Sequence, residues 1–155
     1  MTKAYSLKEA TKKLESYCAY QERCHKEVVN KLRDMRMIPE TINHIVVHLI
    51  DENYLNEERF AQSFARGKFN IKKWGKNRIT NELKQRNIST YNIKSALKEI
   101  DAQAYSKTFD ELAEKRLNQL TDKNLQKRRK KLADYLLYRG WESHLVYAKI
   151  KELVP

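Results

Sequence analysis

The chain has 155 residues, with 32 Lys and Arg against 20 Asp and Glu for a net charge of +12. That length holds one domain or a short array of small repeats, and three Gly and two Pro are too few for a turn-rich β-sandwich or a Gly-rich phosphate loop. The abundance of Lys, Glu, Leu, Ala, Asn and Gln favours helix throughout, and the positive excess favours a polyanionic partner.

Charge is unevenly placed along the chain. Residues 1–52 hold nine basic and eight acidic residues, 53–101 hold eleven and five, and 102–155 hold twelve and seven. Between Arg66 and Arg86 lie Lys68, Lys72, Lys73, Lys76, Arg78 and Lys84, against Glu82 alone. A second basic run comprises Lys123, Lys127, Arg128, Arg129, Lys130 and Lys131.

The apolar pattern divides the chain the same way. The series Val28, Leu32, Met37, Ile42, Val46, Leu49 recurs as Ile79, Leu83, Ile88, Ile93, Leu97, Ile100, and again as Leu132, Leu136, Trp141, Val146, Ile150, Leu153. Each copy holds two segments at helical spacing separated by a break, the signature of a repeat architecture.

Taken in chain order, Ser6 to Glu9 has capping-box spacing and opens a helix bearing Ala10, Leu14 and Tyr17 on one side. The first break follows at Arg36, where the left-handed conformation costs more than for Gly or Asn, so this turn is expected to differ from its counterparts. Pro39 suits the first turn of the next helix. Asn56 can cap the second unit's opening helix, which carries Phe60, Ala61, Phe64 and Ala65. Asn87 then marks the second break, and Ser89 can cap beyond it. The stretch around Tyr105, Phe109, Leu112, Leu117 and Leu120 is longer, with continuity from the preceding helix as an option. Gly140 marks the third break. The expectation is an all-α chain of nine helices in three tandem three-helix repeats, at 1–53, 54–101 and 102–155, forming an elongated module.

The residues from Asp51 to Ala61, followed by Trp74-Gly75-Lys76-Asn77-Arg78-Ile79 and by Glu82 to Ile88, resemble the RecX family, bacterial regulators of the RecA recombinase. That family's central signature runs roughly glycine-tyrosine-leucine-aspartate-aspartate, arginine-phenylalanine-alanine, then glycine, arginine-isoleucine, glutamate-leucine and arginine-glycine-isoleucine. Leu132, Leu136, Arg139-Gly140-Trp141 and Val146 fit its third repeat, and Arg23 to Ile42 its first. Departures are Asn53 and Asn87 for Gly and Asn56 for Asp; Asn tolerates the positive φ that Gly supplies. The resemblance implies a curved module that binds along the RecA–DNA filament, spans neighbouring subunits and restrains ATP hydrolysis, strand exchange or filament growth.

Charge placement, separately from the resemblance, nominates Lys72, Lys73, Lys76, Arg78, Lys84, Arg86, Arg128, Arg129, Lys130 and Lys131 for contact with the filament and with DNA phosphate. Trp74 can stack on a base, although packing at a unit junction accounts for it more simply. The nine tyrosines fall near apolar positions, consistent with core-edge packing.

Other chemistries find little support. Cys18, Cys24, His25, His44 and His48 carry metal-ligating atoms, but both helix histidines project away from the Ile42–Leu49 apolar stripe and the cysteine spacing is not a zinc-knuckle spacing. Two cysteines imply no disulfide framework, and a buried, reduced role is expected for each. No Walker loop, nucleophile elbow or carboxylate cluster is present, so neither catalysis nor a cofactor is expected. Apolar runs such as Ile45-Val46-Val47 fall far short of the ~20 residues of a membrane helix, and a cytoplasmic monomer is expected. Two other readings remain: a sequence-specific helix-turn-helix repressor built on Ile79–Ile100, and a helical adaptor for an acidic protein.

Overall fold

In a computed structural model, which describes residues 4–155, the described residues form nine α-helices and no strand. They are α1 (Leu7–Tyr20), α2 (His25–Asp34), α3 (Pro39–Asp51), α4 (Glu57–Asn70), α5 (Lys76–Gln85), α6 (Thr90–Leu97), α7 (Ala102–Gln119), α8 (Leu125–Tyr138) and α9 (Ser143–Leu153). The principal packings join α1 and α2 to α3, α4 to α5 and α6, and α7 to α8 and α9, giving three successive trios.

Local chemistry sets the helix starts. Ser6 and Glu9 form the reciprocal capping box, each backbone N–H donating to the other's side chain at 3.1 Å. Asn56, Ser89, Asp101 and Asn124 each accept the backbone N–H of the third residue of the next helix. Pro39 occupies the first helical position of α3. Asp101 also settles the continuity question: α6 stops at Leu97, and α7 starts afresh behind this cap, so the two are separate helices.

The three breaks share one geometry. Arg36, Asn87 and Gly140 stand at φ 62°, 60° and 91°. In each turn the left-handed residue donates to the carbonyl three back (Arg33, Lys84, Leu137), and the next residue donates to the carbonyl five back (Leu32, Leu83, Leu136). These are Schellman motifs. The first turn therefore does not differ, as its arginine suggests it should. Repetition of the surrounding packing holds Arg36 in a conformation that costs it ~1–2 kcal/mol. Asn53 closes α3 at φ 62° in the same way.

The repeated apolar series faces inward: Met37, Val46, Leu97 and Leu153 are half-buried and the other fourteen positions buried. Cys18, rather than Tyr17, completes the buried stripe of α1, and Phe69 extends that of α4 while Phe64 is half-buried. Two cores result. One lies within the first trio, around Leu14, Leu32, Ile45 and Leu49. The other runs without interruption through the second and third trios, from Phe60 and Ile79 to Trp141 and Val146.

Accessible surface is 10020 Å², against ~8,200 Å² for a compact monomer of this mass, so the molecule is extended. No helix among the described residues is long and apolar enough to cross a membrane.

Candidate nucleic-acid interface

The second and third trios meet through backbone. Gly75 lacks a capping side chain, and the first N–H groups of α5 are satisfied from the third trio instead. The Gly75 N–H donates to the Arg139 carbonyl at 2.8 Å, and that of Asn77 to the Gly140 carbonyl at 2.9 Å. The Lys76 N–H donates to the Tyr105 hydroxyl at 2.9 Å. That hydroxyl donates in turn to the Glu142 carboxylate, and burial, with this hydrogen bond second, drives the phenol well above its usual pKa.

So close an approach requires two glycines. A Cβ on Gly75 would lie 2.5 Å from the Gly140 carbonyl carbon, and one on Gly140 would lie 2.3 Å from the Arg78 Cβ. Beneath the clamp, Tyr105 packs on Phe69 and Trp141 at ring separations of 5.8 and 4.5 Å. The Trp141 indole N–H is buried without an acceptor among the described residues.

Around this junction gather bases that are distant in sequence. The Arg78 guanidinium lies 4.2 Å from the centre of the Trp74 ring and 4.8 Å from that of Tyr138. Lys68 approaches Trp74 at 5.0 Å, and Lys76 approaches Tyr105 at 4.7 Å. Arg139 leans on Tyr135 at 4.4 Å and donates to the Lys72 carbonyl at 3.4 Å. Among the described residues, no carboxylate forms an ion pair with Lys68, Lys72, Lys73, Lys76, Arg78 or Arg139.

The nominated residues thus separate into groups. Lys76 and Arg78 come together here, with Lys72 joined through its backbone carbonyl; Lys73 lies instead beside Thr108, Glu111 and Lys115 of α7, and Trp74 is buried and packs. Lys84 is exposed on α5, away from the clamp. Arg86 is held by the Glu82 carboxylate at 3.0 Å and lies over Phe64. On α8, Arg129 donates to the Val154 and Pro155 carbonyls at 3.0 and 2.8 Å, fastening the residues after α9. Lys130 pairs with Asp134 at 2.8 Å and Lys131 with Asp122 at 2.7 Å. Arg128 is half-buried.

Lys68, inside the 66–86 basic run but not among the ten nominated residues, joins the junction, as do Tyr138 and Arg139, which lie in neither run. The signal available for two of them was the aromatic–basic pair Tyr138-Arg139 beside a glycine. Tyr20, Tyr91, Tyr138 and Tyr147 are more than half exposed, so core-edge packing does not account for them.

The first trio meets the second through polar contacts. Glu57, in the first turn of α4, accepts the His25 N–H at the start of α2 at 3.0 Å. Arg59 pairs with Glu22 at 2.7 Å and reaches the Asn53 and Tyr54 carbonyls, and Lys26 donates to the Gln85 carbonyl. Cys24 crosses, its side chain belonging to the second core while Cys18 belongs to the first. Burial pushes both thiols up to about 11. His48 lies 2.8 Å from a Glu15 oxygen.

Comparison with known proteins places this geometry among relatives. Residues 56–97 match a family model described as RecX, second three-helix domain, and residues 105–150 match RecX, third three-helix domain. Proteins named Regulatory protein RecX are 27% identical over 99% of this chain and 56% of the relative in Limosilactobacillus reuteri, and 30% over 88% and 52% in Streptococcus agalactiae. The chain spans about half the length of the curated relatives it matches. The crystal structure of RecX from Lactobacillus salivarius superposes with a TM-score of 0.81 at 26% identity, covering 95% of this chain and 96% of that one.

Proposed function

The chain belongs to the RecX family, and from that premise we propose that it regulates a RecA recombinase. It lies along the RecA–DNA filament and restrains ATP hydrolysis, strand exchange or filament growth without catalysing a reaction itself. The carrying observation is the group of bases at the junction of the second and third trios, which lack carboxylate partners among the described residues and can displace counterions from phosphate.

An extended monomer whose three repeats (1–53, 54–101 and 102–155) present successive surfaces suits a filament groove better than a point target. All ten nominated residues belong to the proposed contact set. Lys72, Lys73, Lys76 and Arg78 carry more of it than Arg128 to Lys131, because Arg129, Lys130 and Lys131 already hold internal partners.

The test is single-strand-dependent ATP hydrolysis by the cognate RecA, with this protein titrated in near physiological salt. The rate falls at well below one protein per RecA subunit, and charge reversal at three positions (Lys72→Glu, Lys73→Glu, Lys76→Glu) weakens the effect at least tenfold, as loss of several phosphate contacts requires. An unchanged rate without co-sedimentation on filaments rejects the reading, and a consensus selected from random duplexes indicates a sequence-specific repressor instead.

A further inference from the structure

We propose that Tyr138 is a base-stacking residue: the exposed end of a Trp74–Arg78–Tyr138 cluster that takes an unpaired base of single-stranded nucleic acid at the junction of the second and third trios. This rests on the nucleic-acid side of the function proposed above and names the contact.

Packing does not explain the side chain. Tyr138 is the last residue of α8, three positions before Trp141. In the repeat register the same position is Gln85 in the second trio and Asp34 in the first, both exposed and polar. The repeat therefore needs no aromatic here, yet a tyrosine stands at this position, 75% exposed.

It is nonetheless fixed in place. The Arg78 guanidinium lies 4.8 Å from its ring centre and 4.2 Å from that of Trp74, which is 9% exposed and anchors the cluster in the core. Arg78 also donates to the Tyr138 carbonyl at 3.4 Å. Such support lowers the cost of ordering a surface ring before a ligand arrives. Arg139, the next residue, is held by its bond to the Lys72 carbonyl and supplies charge for a neighbouring phosphate, with the exposed Lys72 two residues before Trp74 available for another. An aromatic face set among bases without carboxylate partners among the described residues suits single strands, whose bases are free to stack on it; bases in a duplex are already stacked.

The experiment is anisotropy titration of oligothymidylate, without any recombinase, across a salt series, with the parent chain, Tyr138→Ala, Tyr138→Phe and Lys72→Ala. Tyr138→Ala binds about 5- to 100-fold more weakly at every salt concentration with an unchanged log–log salt slope, and Tyr138→Phe binds like the parent. Lys72→Ala both weakens binding and flattens the slope. Unchanged thermal melting of Tyr138→Ala by circular dichroism accompanies that result.

Parent-like binding by Tyr138→Ala overturns the assignment, as does absence of binding by the parent. Because no recombinase is present, failure of RecA regulation registers separately.

Discussion

Gly140 and Gly67 show how differently one residue type is used. At Gly140 φ is +91° and a Cβ would overlap Arg78, whereas at Gly67 no atom stands within 4 Å of the added carbon. Gly140→Ala is expected to lose about 2–4 kcal/mol through left-handed strain and overlap. Gly67→Ala, in mid-helix, is expected to gain about 0.5–1 kcal/mol. Urea denaturation measures both, and equal shifts would contradict the close approach at the clamp. Two thiols in separate cores, each with its pKa raised by burial, show the same dependence on place: residues of one type that are near in sequence serve different trios.

At the scale of the element, the repeated Schellman turn is the unit of design. Asn87 and Gly140 suit it, and Arg36 does not. Arg36→Gly should therefore stabilise the chain by about 0.5–1 kcal/mol, and chemical denaturation that shows a loss would mean that the arginine side chain makes a compensating contact. These elements were legible in the sequence because their causes are local. Ser6, Asn56 and Ser89 cap through side chains three residues from their targets, and the apolar series recurs at a near-constant spacing. Where reading went astray, the deciding atoms lay elsewhere: Arg36 is overruled by tertiary packing. Asp101 closes the option left open after α6, its carboxylate accepting the Ala104 N–H and starting α7 afresh. The site was legible as a zone of charge but not as a place. Nothing local in Trp74-Gly75 says that Arg139 and Gly140 complete it, since the match is between backbones some 65 residues apart.

The whole molecule holds two cores joined by unlike seams. Between the second and third trios the seam is apolar and backbone-clamped; between the first and second it is mainly Arg59, Glu57 and Lys26 with the Cys24 side chain. Arg59→Ala removes the Glu22 pair and the hold on residues 53–54. It is expected to cost about 1–3 kcal/mol, read by native-state hydrogen exchange as faster exchange in α1–α3 with α7–α9 unchanged. Uniform acceleration across all three trios would show one cooperative unit instead.

The clamp also bears on how the chain is made. Synthesis proceeds from the N-terminus, and α5 emerges from the ribosome some 65 residues before the carbonyls that complete its first turn. Until Arg139 and Gly140 follow, the N–H groups of Gly75 and Asn77 remain bonded to water, and the second trio's share of the joint core stays uncovered. The first trio, whose core is its own, can fold on emergence. Maturation is therefore expected in two stages, with the basic junction assembled only near the end of translation.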